Sequence, residues 1–315
     1  MSTNKSDGEV PDKNIKFKIS LLHPKHIISW IGLMLAAILS LLPSSARHAL
    51  GDAIGAYLYK NNQKRKAVVE KNLRQVFPDA SESDLQNKVR SNLGWYGKAL
   101  GDYSLLFFAS KSRLKRMVNI EGEKLLSDIG NDQSVILMLA HSVMLEFAAI
   151  ALSTDYKSFG SYKPSANPVI DWMIARSRCR FVDFVVSRDD GLRPLIRAIK
   201  SKRIMIFLPD EDLGLDNAVF APFFKRDKAT LTTPARLAKL GGAKAVAGFV
   251  AFDESSRQYQ LRLEAMPADY PSNDNGIDAA ALNRALERLV MQSPEQYLWV
   301  MKFFRTTPPE KSPLY

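Results

Sequence analysis

The chain has 315 residues, 46% of them apolar, which excludes a disordered chain and a small stapled scaffold. A single cysteine, Cys179, excludes a disulfide framework and a multi-cysteine zinc site. Lys plus Arg outnumber Asp plus Glu by 44 to 33, a surplus that suits a polyanionic partner: nucleic acid, an anionic membrane, or an acidic or phosphorylated substrate.

Residues 1–20 read as a polar N-terminal tail, and residues 21–62 as a membrane anchor followed by an amphipathic helix. The stretch 27–42, IISWIGLMLAAILSLL, carries no charge. As a helix it reaches about 24 Å at ~1.5 Å per residue, which fits a short span or a deeply inserted interfacial helix. A cleaved signal peptide is the alternative, with SSA before Arg47 as its cleavage site. The long polar region of mixed charge that precedes the apolar run favours a retained anchor. Beyond it, Ala46, Leu50, Ala53, Ile54, Tyr57 and Leu58 share one helical face. Lys60, Lys64, Arg65 and Lys66 follow at once, where lipid headgroups would lie. Positive charge flanks both ends, so the charge rule gives no orientation.

Residues 63–118 read as a helical segment. Val69, Leu73, Val76 and Phe77 recur at helical spacing until Pro78 breaks the pattern. Ser81 with Asp84 forms a capping box for a long helix through Leu85, Val89, Leu93, Tyr96 and Leu100. From about 119 to 305 the texture changes. Short apolar runs at 134–140, 181–186, 203–208, 244–251 and 258–265 have strand length. Helical patterns lie near 143–154, 168–177, 191–201, 231–240 and 277–291. That alternation predicts an α/β domain with a mostly parallel central sheet flanked by helices, with its ligand beyond the carboxyl ends of the strands. Residues 306–315 read as a C-terminal tail.

Nucleotide-binding glycine loops and the G-x-S-x-G elbow are missing. Three of the four histidines, His23, His26 and His48, fall in the membrane-proximal segment. His141 is thus alone in the α/β region, which argues against a histidine-rich metal site; no metal and no cofactor are expected. His141 follows a strand candidate, and Glu146 stands five positions on. Histidine is suited to proton transfer near neutral pH, and a carboxylate on one ring nitrogen fixes its tautomer. On one ideal helix the two would point about 140° apart at ~100° per residue. They meet only if His141 sits in the strand-to-helix turn, with Ser142 as N-cap. Spacing alone leaves a catalytic dyad and a structural pair equally open. The acidic loop of Asp210, Glu211 and Asp212 and the alternating Arg176, Arg178 and Arg180 beside Cys179 likewise read as site residues or as solvated charge.

The H-x-x-x-x-E pair after a strand, with an upstream anchor, resembles the glycerolipid acyltransferase superfamily. KNLRQVFPD (71–79), YKPSANPVIDW (162–172), PDEDLG (209–214), FAPFFKRDKAT (220–230) and PEQYLWV (294–300) resemble segments of one family within it, the lipid A late acyltransferases. The resemblance implies transfer of a fatty acyl chain from acyl carrier protein to a hydroxyacyl hydroxyl of a lipid A precursor. It implies an enzyme at the cytoplasmic face of the inner membrane and no nucleic-acid partner. It further implies His141 as general base, Glu146 as the group that orients it, and Arg178 and Asp210 as substrate-binding residues. Two departures bear on the acceptor: Glu211 adds a negative charge in the P-D-x-D motif, and VMKFFR follows PEQYLW where a more basic run is usual. An acyltransferase acting on another glycolipid or a glycerophospholipid, a hydrolase using the same dyad, and a membrane-tethered polyanion-binding protein are the rival readings.

Overall fold

The protein's computed structural model describes residues 16–127, 133–162, 165–187 and 192–315. Most of the polar tail, and Lys163 and Pro164 of the YKP segment, lie outside the described residues. Two short 3-10 turns lead into α1 (Ile27–Leu41). The stretch Pro24–Leu41 is long and apolar enough to cross a membrane, with mean hydropathy 1.5 over 18 residues and only 17% of it buried. Ile28, Met34, Ile38 and Leu41 face outward.

Helix α2 (Ser44–Asn61) is two-sided. Of the face read from sequence, Leu50, Ala53 and Tyr57 are exposed and Ala46, Ile54 and Leu58 are half-buried. The opposite side packs on the long helix α4 (Glu82–Phe108). Gly51 and Gly55 meet Gly94 and Gly97 there, and a Cβ on Gly97 would lie 2.1 Å from the Gly51 carbonyl oxygen. Only glycine admits that approach. Beside the crossing, buried Asp102 accepts from Arg47 Nε at 2.8 Å and pairs with His48 Nε2 at 2.8 Å. Burial alone would push the Asp102 carboxyl up; His48 and Arg47 outweigh it and hold it below the ordinary range. Between α2 and α4 runs α3 (Gln63–Val76). Ser81 accepts the Asp84 N–H at 3.2 Å and caps α4 as its sequence signature predicts. A short α5 (Lys111–Lys115) follows.

The α/β region is mixed, with a mostly parallel sheet. Its strands are β1 (Val118–Glu121), β2 (Ser134–Leu139), β3 (Ser158–Tyr162), β4 (Phe184–Ser187), β5 (Ile204–Phe207), β8 (Ala243–Asp253) and β9 (Gln258–Ala265), in the order β1-β9-β8-β2-β5-β3-β4. Among the described residues of this sheet, the β8–β9 pair alone is antiparallel. Central β2 is buried at all six residues, as a strand covered on both faces must be. A separate hairpin joins β6 (Ala218–Phe223) to β7 (Arg226–Leu231). Helices α6 (Phe147–Leu152), α7 (Pro168–Arg178), α8 (Leu192–Ile199), α9 (Thr233–Gly241) and α10 (Asn275–Val290) complete the domain.

Helix α4 ties the two cores together. Leu85, Val89 and Leu93 join the core of α8, α9 and α10, and Trp95, Ala99, Leu105 and Leu106 join the core beneath α6. Helix α7 rests on α1 through Val169 and Met173 against Leu33, with Trp172 against Trp30. Asn167 Nδ2 also donates to Ser29 Oγ at 2.9 Å.

Some elements differ from expectation. Strands β1 and β3 and the β6–β7 hairpin are additions, and β4 begins three residues after the expected 181. Helix α6 starts at Phe147 rather than near 143 because the backbone before it is diverted. Val143 N–H goes to Gln296 O at 2.9 Å, and Met144 N–H goes to Ser142 Oγ at 2.9 Å. Ser142 therefore caps a tight turn, not the helix itself.

Candidate active site

Strands β2 and β5 are parallel neighbours, so the loops at their carboxyl ends emerge side by side. His141 stands on the first loop and Asp210 on the second. Asp210 Oδ1 meets His141 Nδ1 at 2.5 Å, and Oδ2 accepts the His141 backbone N–H at 2.7 Å. Tyr297 Oη donates to the same Oδ2 at 2.6 Å. The carboxylate at Nδ1 is thus Asp210, 69 residues distant in sequence, where the H-x-x-x-x-E spacing suggests Glu146. The reason is topological: adjacent parallel strands bring together what the sequence separates.

Burial alone would raise the Asp210 carboxyl. The charge and hydrogen bonds of His141, with the bond from Tyr297, outweigh that and hold it below the usual carboxylate range. Tyr297 is driven well above the ordinary phenol range by burial and by Asp210, so it stays a donor. An imidazole that donates its Nδ1 proton to Asp210 keeps its lone pair on Nε2.

Glu146 sits at the end of the same turn, directly before α6. Both of its oxygens take the guanidinium of Arg178, from the last turn of α7, in a fork-to-fork pair. The two side chains are 23% and 31% exposed. Burial would lower the Arg178 pKa, but Glu146 more than compensates and raises it, so the guanidinium is permanently charged. The three arginines of RSRCR separate into distinct places. Arg176 is exposed near the Trp172 ring, Arg178 reaches Glu146, and Arg180 caps α4 through the carbonyls of Leu106 and Ala109. Cys179 ends α7, partly exposed.

Residues beyond the four site candidates hold this geometry. The segment 296–298 lies against 141–143: Leu298 N–H donates to His141 O at 2.8 Å, and Ser142 bridges Tyr297. Two buried asparagines clamp that segment. Asn92 Nδ2 reaches Glu295 O and Tyr297 O, each at 2.8 Å. Asn72 Nδ2 reaches Trp299 O at 2.7 Å and Met301 O at 2.8 Å. Asp212 closes its own loop by accepting from Gly214 N, Thr306 N and Thr306 Oγ1. The PEQYLWV and KNLRQVFPD segments were the only sequence signal for Tyr297 and Asn72.

A mostly apolar cavity of about 470 Å³ adjoins the turn. Glu146 and Arg178 line it together with Leu145, Ala149, Gly160, Leu195, Ile206, Leu208 and Leu231; Glu211 and Asp216 also face it. An apolar enclosure with a few polar groups is the usual form of a small-molecule site. Among the described residues no His/Cys/Asp/Glu cluster suits a metal ion.

The comparisons with known proteins agree with one another. A family model described as bacterial lipid A biosynthesis acyltransferase matches residues 14–306. The chain is 29% identical over 295 residues to the lipid A biosynthesis lauroyltransferase of Escherichia coli K12, covering 93% of this chain and 96% of that protein. It is 28% identical to the palmitoleoyltransferase of the same organism, covering 95% and 98%. A lipid A biosynthesis acyltransferase of Haemophilus influenzae is 29% identical, covering 96% and 98%.

Proposed function

Since this chain belongs to the bacterial lipid A biosynthesis acyltransferase family and is an acyltransferase, we propose that it moves a fatty acyl chain from an acyl carrier protein thioester to a hydroxyacyl hydroxyl of a lipid A precursor. In this reading Nε2 of His141 takes the proton of the acceptor hydroxyl as its oxygen attacks the thioester carbonyl carbon. The C–S bond then breaks, and the carrier's thiolate leaves with the proton from the imidazolium. An ester forms and a thiol is released. Asp210 fixes the tautomer and balances the imidazolium charge. Arg178, held by Glu146, lines the cavity, which favours a place beside the thioester oxygen as charge develops there. The apolar cavity receives the acyl chain, at about 0.8 kcal/mol per buried CH₂.

The observation that carries this reading is the His141–Asp210–Tyr297 network on one pair of loops, with the neighbouring apolar cavity lined by Glu146 and Arg178. The exposed apolar side chains of α1 support attachment to the inner membrane. A site on the cytoplasmic side is where acyl carrier protein would meet it. The basic surplus suits an acidic carrier and a phosphorylated glycolipid.

Mass spectrometry of lipid A from cells lacking this protein tests the assignment. Loss of a secondary acyl chain is expected, restored by the wild type but not by His141→Ala at equal membrane level. An unchanged lipid A profile in the deletion strain would contradict the acceptor.

A further inference from the structure

Helix α1 carries no charge between Ile27 and Leu41, and its side chains divide into two faces. Ser29, Trp30, Leu33, Ala36, Ala37 and Ser40 recur every three or four residues and are buried or half-buried. Ile27, Ile31, Met34, Ile38 and Leu41 recur on the opposite face, with Ile28 and Leu35 beside them, and all of these are exposed. Such a helix has protein along one side and suits an apolar medium along the other.

The first face is held by the folded body from end to end. In the first turn Ser29 Oγ accepts from Asn167 Nδ2 at 2.9 Å, and Trp30 packs on Trp172. In the middle Leu33 packs with Val169 and Met173 of α7, and Phe107 of α4 joins the same cluster. In the last turn the Ser40 carbonyl accepts from Arg113 Nη1 of α5 at 2.7 Å. Just beyond it the Leu42 carbonyl accepts from Nη1 of buried Arg47 at 2.6 Å. Ser29 and Ser40 stand roughly 16 Å apart at ~1.5 Å per residue. One body therefore touches both ends of the helix.

A helix that crosses a bilayer has its ends on opposite sides of it. If α1 stood upright in the hydrocarbon, α4, α5 and α7 would have to enter with it. Arg113 and Asn167 would then lie in or beside a layer that strongly disfavours charged and polar groups. Upright, α1 itself reaches only about 22 Å at ~1.5 Å per residue, against a hydrocarbon core of about 30 Å. On its side it sinks its apolar stripe about 5–10 Å into the boundary of headgroups and acyl chains, and the folded body stays in water. The charges agree with this. Lys18 and Lys25 are exposed before α1, and Lys111 is exposed on α5, the helix that reaches its last turn. Cations at both ends suit the phosphate headgroups of a single leaflet.

We infer that α1 lies in the plane of one phospholipid leaflet, inserted side-on through its exposed apolar stripe, with both of its ends on the same side of the bilayer. The inference rests on the membrane reading of α1 and is independent of the acyl-transfer chemistry.

Nitroxide depth measurement tests it. The full chain, with Cys179→Ser removing the native thiol, carries one label at a time at Ile28→Cys, Ile31→Cys, Leu35→Cys, Ile38→Cys or Leu41→Cys. Each is bound to vesicles of phosphatidylethanolamine and phosphatidylglycerol. Collision with oxygen and with a water-soluble nickel chelate reads the depth of the label. One common depth for all five is expected. A profile that is shallow at Ile28 and Leu41 and about 10 Å deeper at Leu35 is that of a spanning helix. It would overturn the inference and leave membrane attachment standing. A chain that does not bind the vesicles overturns attachment and the inference together, and gives the stripe to a protein partner or a second copy. If labels on the stripe prevent folding, Ser20→Cys and Ser45→Cys, exposed positions on either side of α1, take their place. A membrane-impermeant maleimide is then applied to spheroplasts and to inverted inner-membrane vesicles. Both thiols should react from the same side, and reaction from opposite sides overturns the inference.

Discussion

At the scale of single residues, the site rests on two carboxylates with different partners. Asp210→Asn leaves the shape of the network but removes the charge that balances His141, so kcat should fall by about 10²- to 10⁴-fold with KM little changed. Steady-state kinetics on the purified variant reads both constants. Glu146 and Arg178 act as one unit, and removing either strands the other. Glu146→Ala and Arg178→Ala should therefore each cost nearly as much as the double variant, and additive losses in a double-mutant cycle would contradict the pairing. His141 is legible in the sequence because it follows an apolar strand and has no other histidine within the α/β region. Its partner at Nδ1 is not legible, because the pairing of Asp210 with His141 is created by the adjacency of β2 and β5. Glu146 lies nearer in sequence, yet its turn directs it to Arg178.

At the scale of elements, close packing and buried amides position the site. The α2–α4 crossing depends on glycine, since a Cβ on Gly97 would collide with backbone rather than a side chain. Gly97→Ala must push the helices apart, and a loss of at least about 1–3 kcal/mol is expected, read as a lower thermal midpoint by circular dichroism. Asn92→Leu removes two hydrogen bonds to the segment that carries Tyr297. Unsatisfied buried carbonyls cost about 1–3 kcal/mol each, so stability and kcat should fall together. The strands legible in sequence are β2, β4, β5 and β8, which are apolar runs, and β9, which alternates. The ones missed have physical reasons. Strands β1 and β3, VNIE and SFGSY, are short and mix polar residues into the pattern. The β6–β7 hairpin turns at Phe224 and Lys225, with Phe224 at φ 54°. Hairpin turns with positive φ normally announce themselves by glycine or asparagine, and here neither is present.

At the scale of the whole molecule, one exposed apolar helix packs against the catalytic domain. Helix α1 turns Ile28, Met34 and Ile38 outward, while Leu33 and Trp30 hold α7, the helix that ends in Arg178. The placement of α1 and the site geometry are thereby linked through the α1–α7 contact. Ile31→Lys with Ile38→Lys alters only exposed positions of α1. Each lysine costs about 2.5–3.5 kcal/mol at the centre of a membrane helix, so flotation with vesicles should show release from the membrane while circular dichroism stays unchanged. The α/β class and the N-terminal apolar helix can be read from hydropathy and periodicity, because both are written in local pattern. The parallel pairing of β1 with β9 and the clamp around Tyr297 arise from contacts between distant segments, which no local pattern encodes. The central claim is that His141, oriented by Asp210, activates an acceptor hydroxyl for attack on a carrier-bound thioester. Single-turnover acyl transfer with purified protein, labelled acyl carrier protein thioester and a lipid A precursor tests it most directly. The account predicts ester formation by the wild type and background transfer by His141→Ala at every pH, with carrier binding intact; transfer by His141→Ala at the wild-type rate would contradict it.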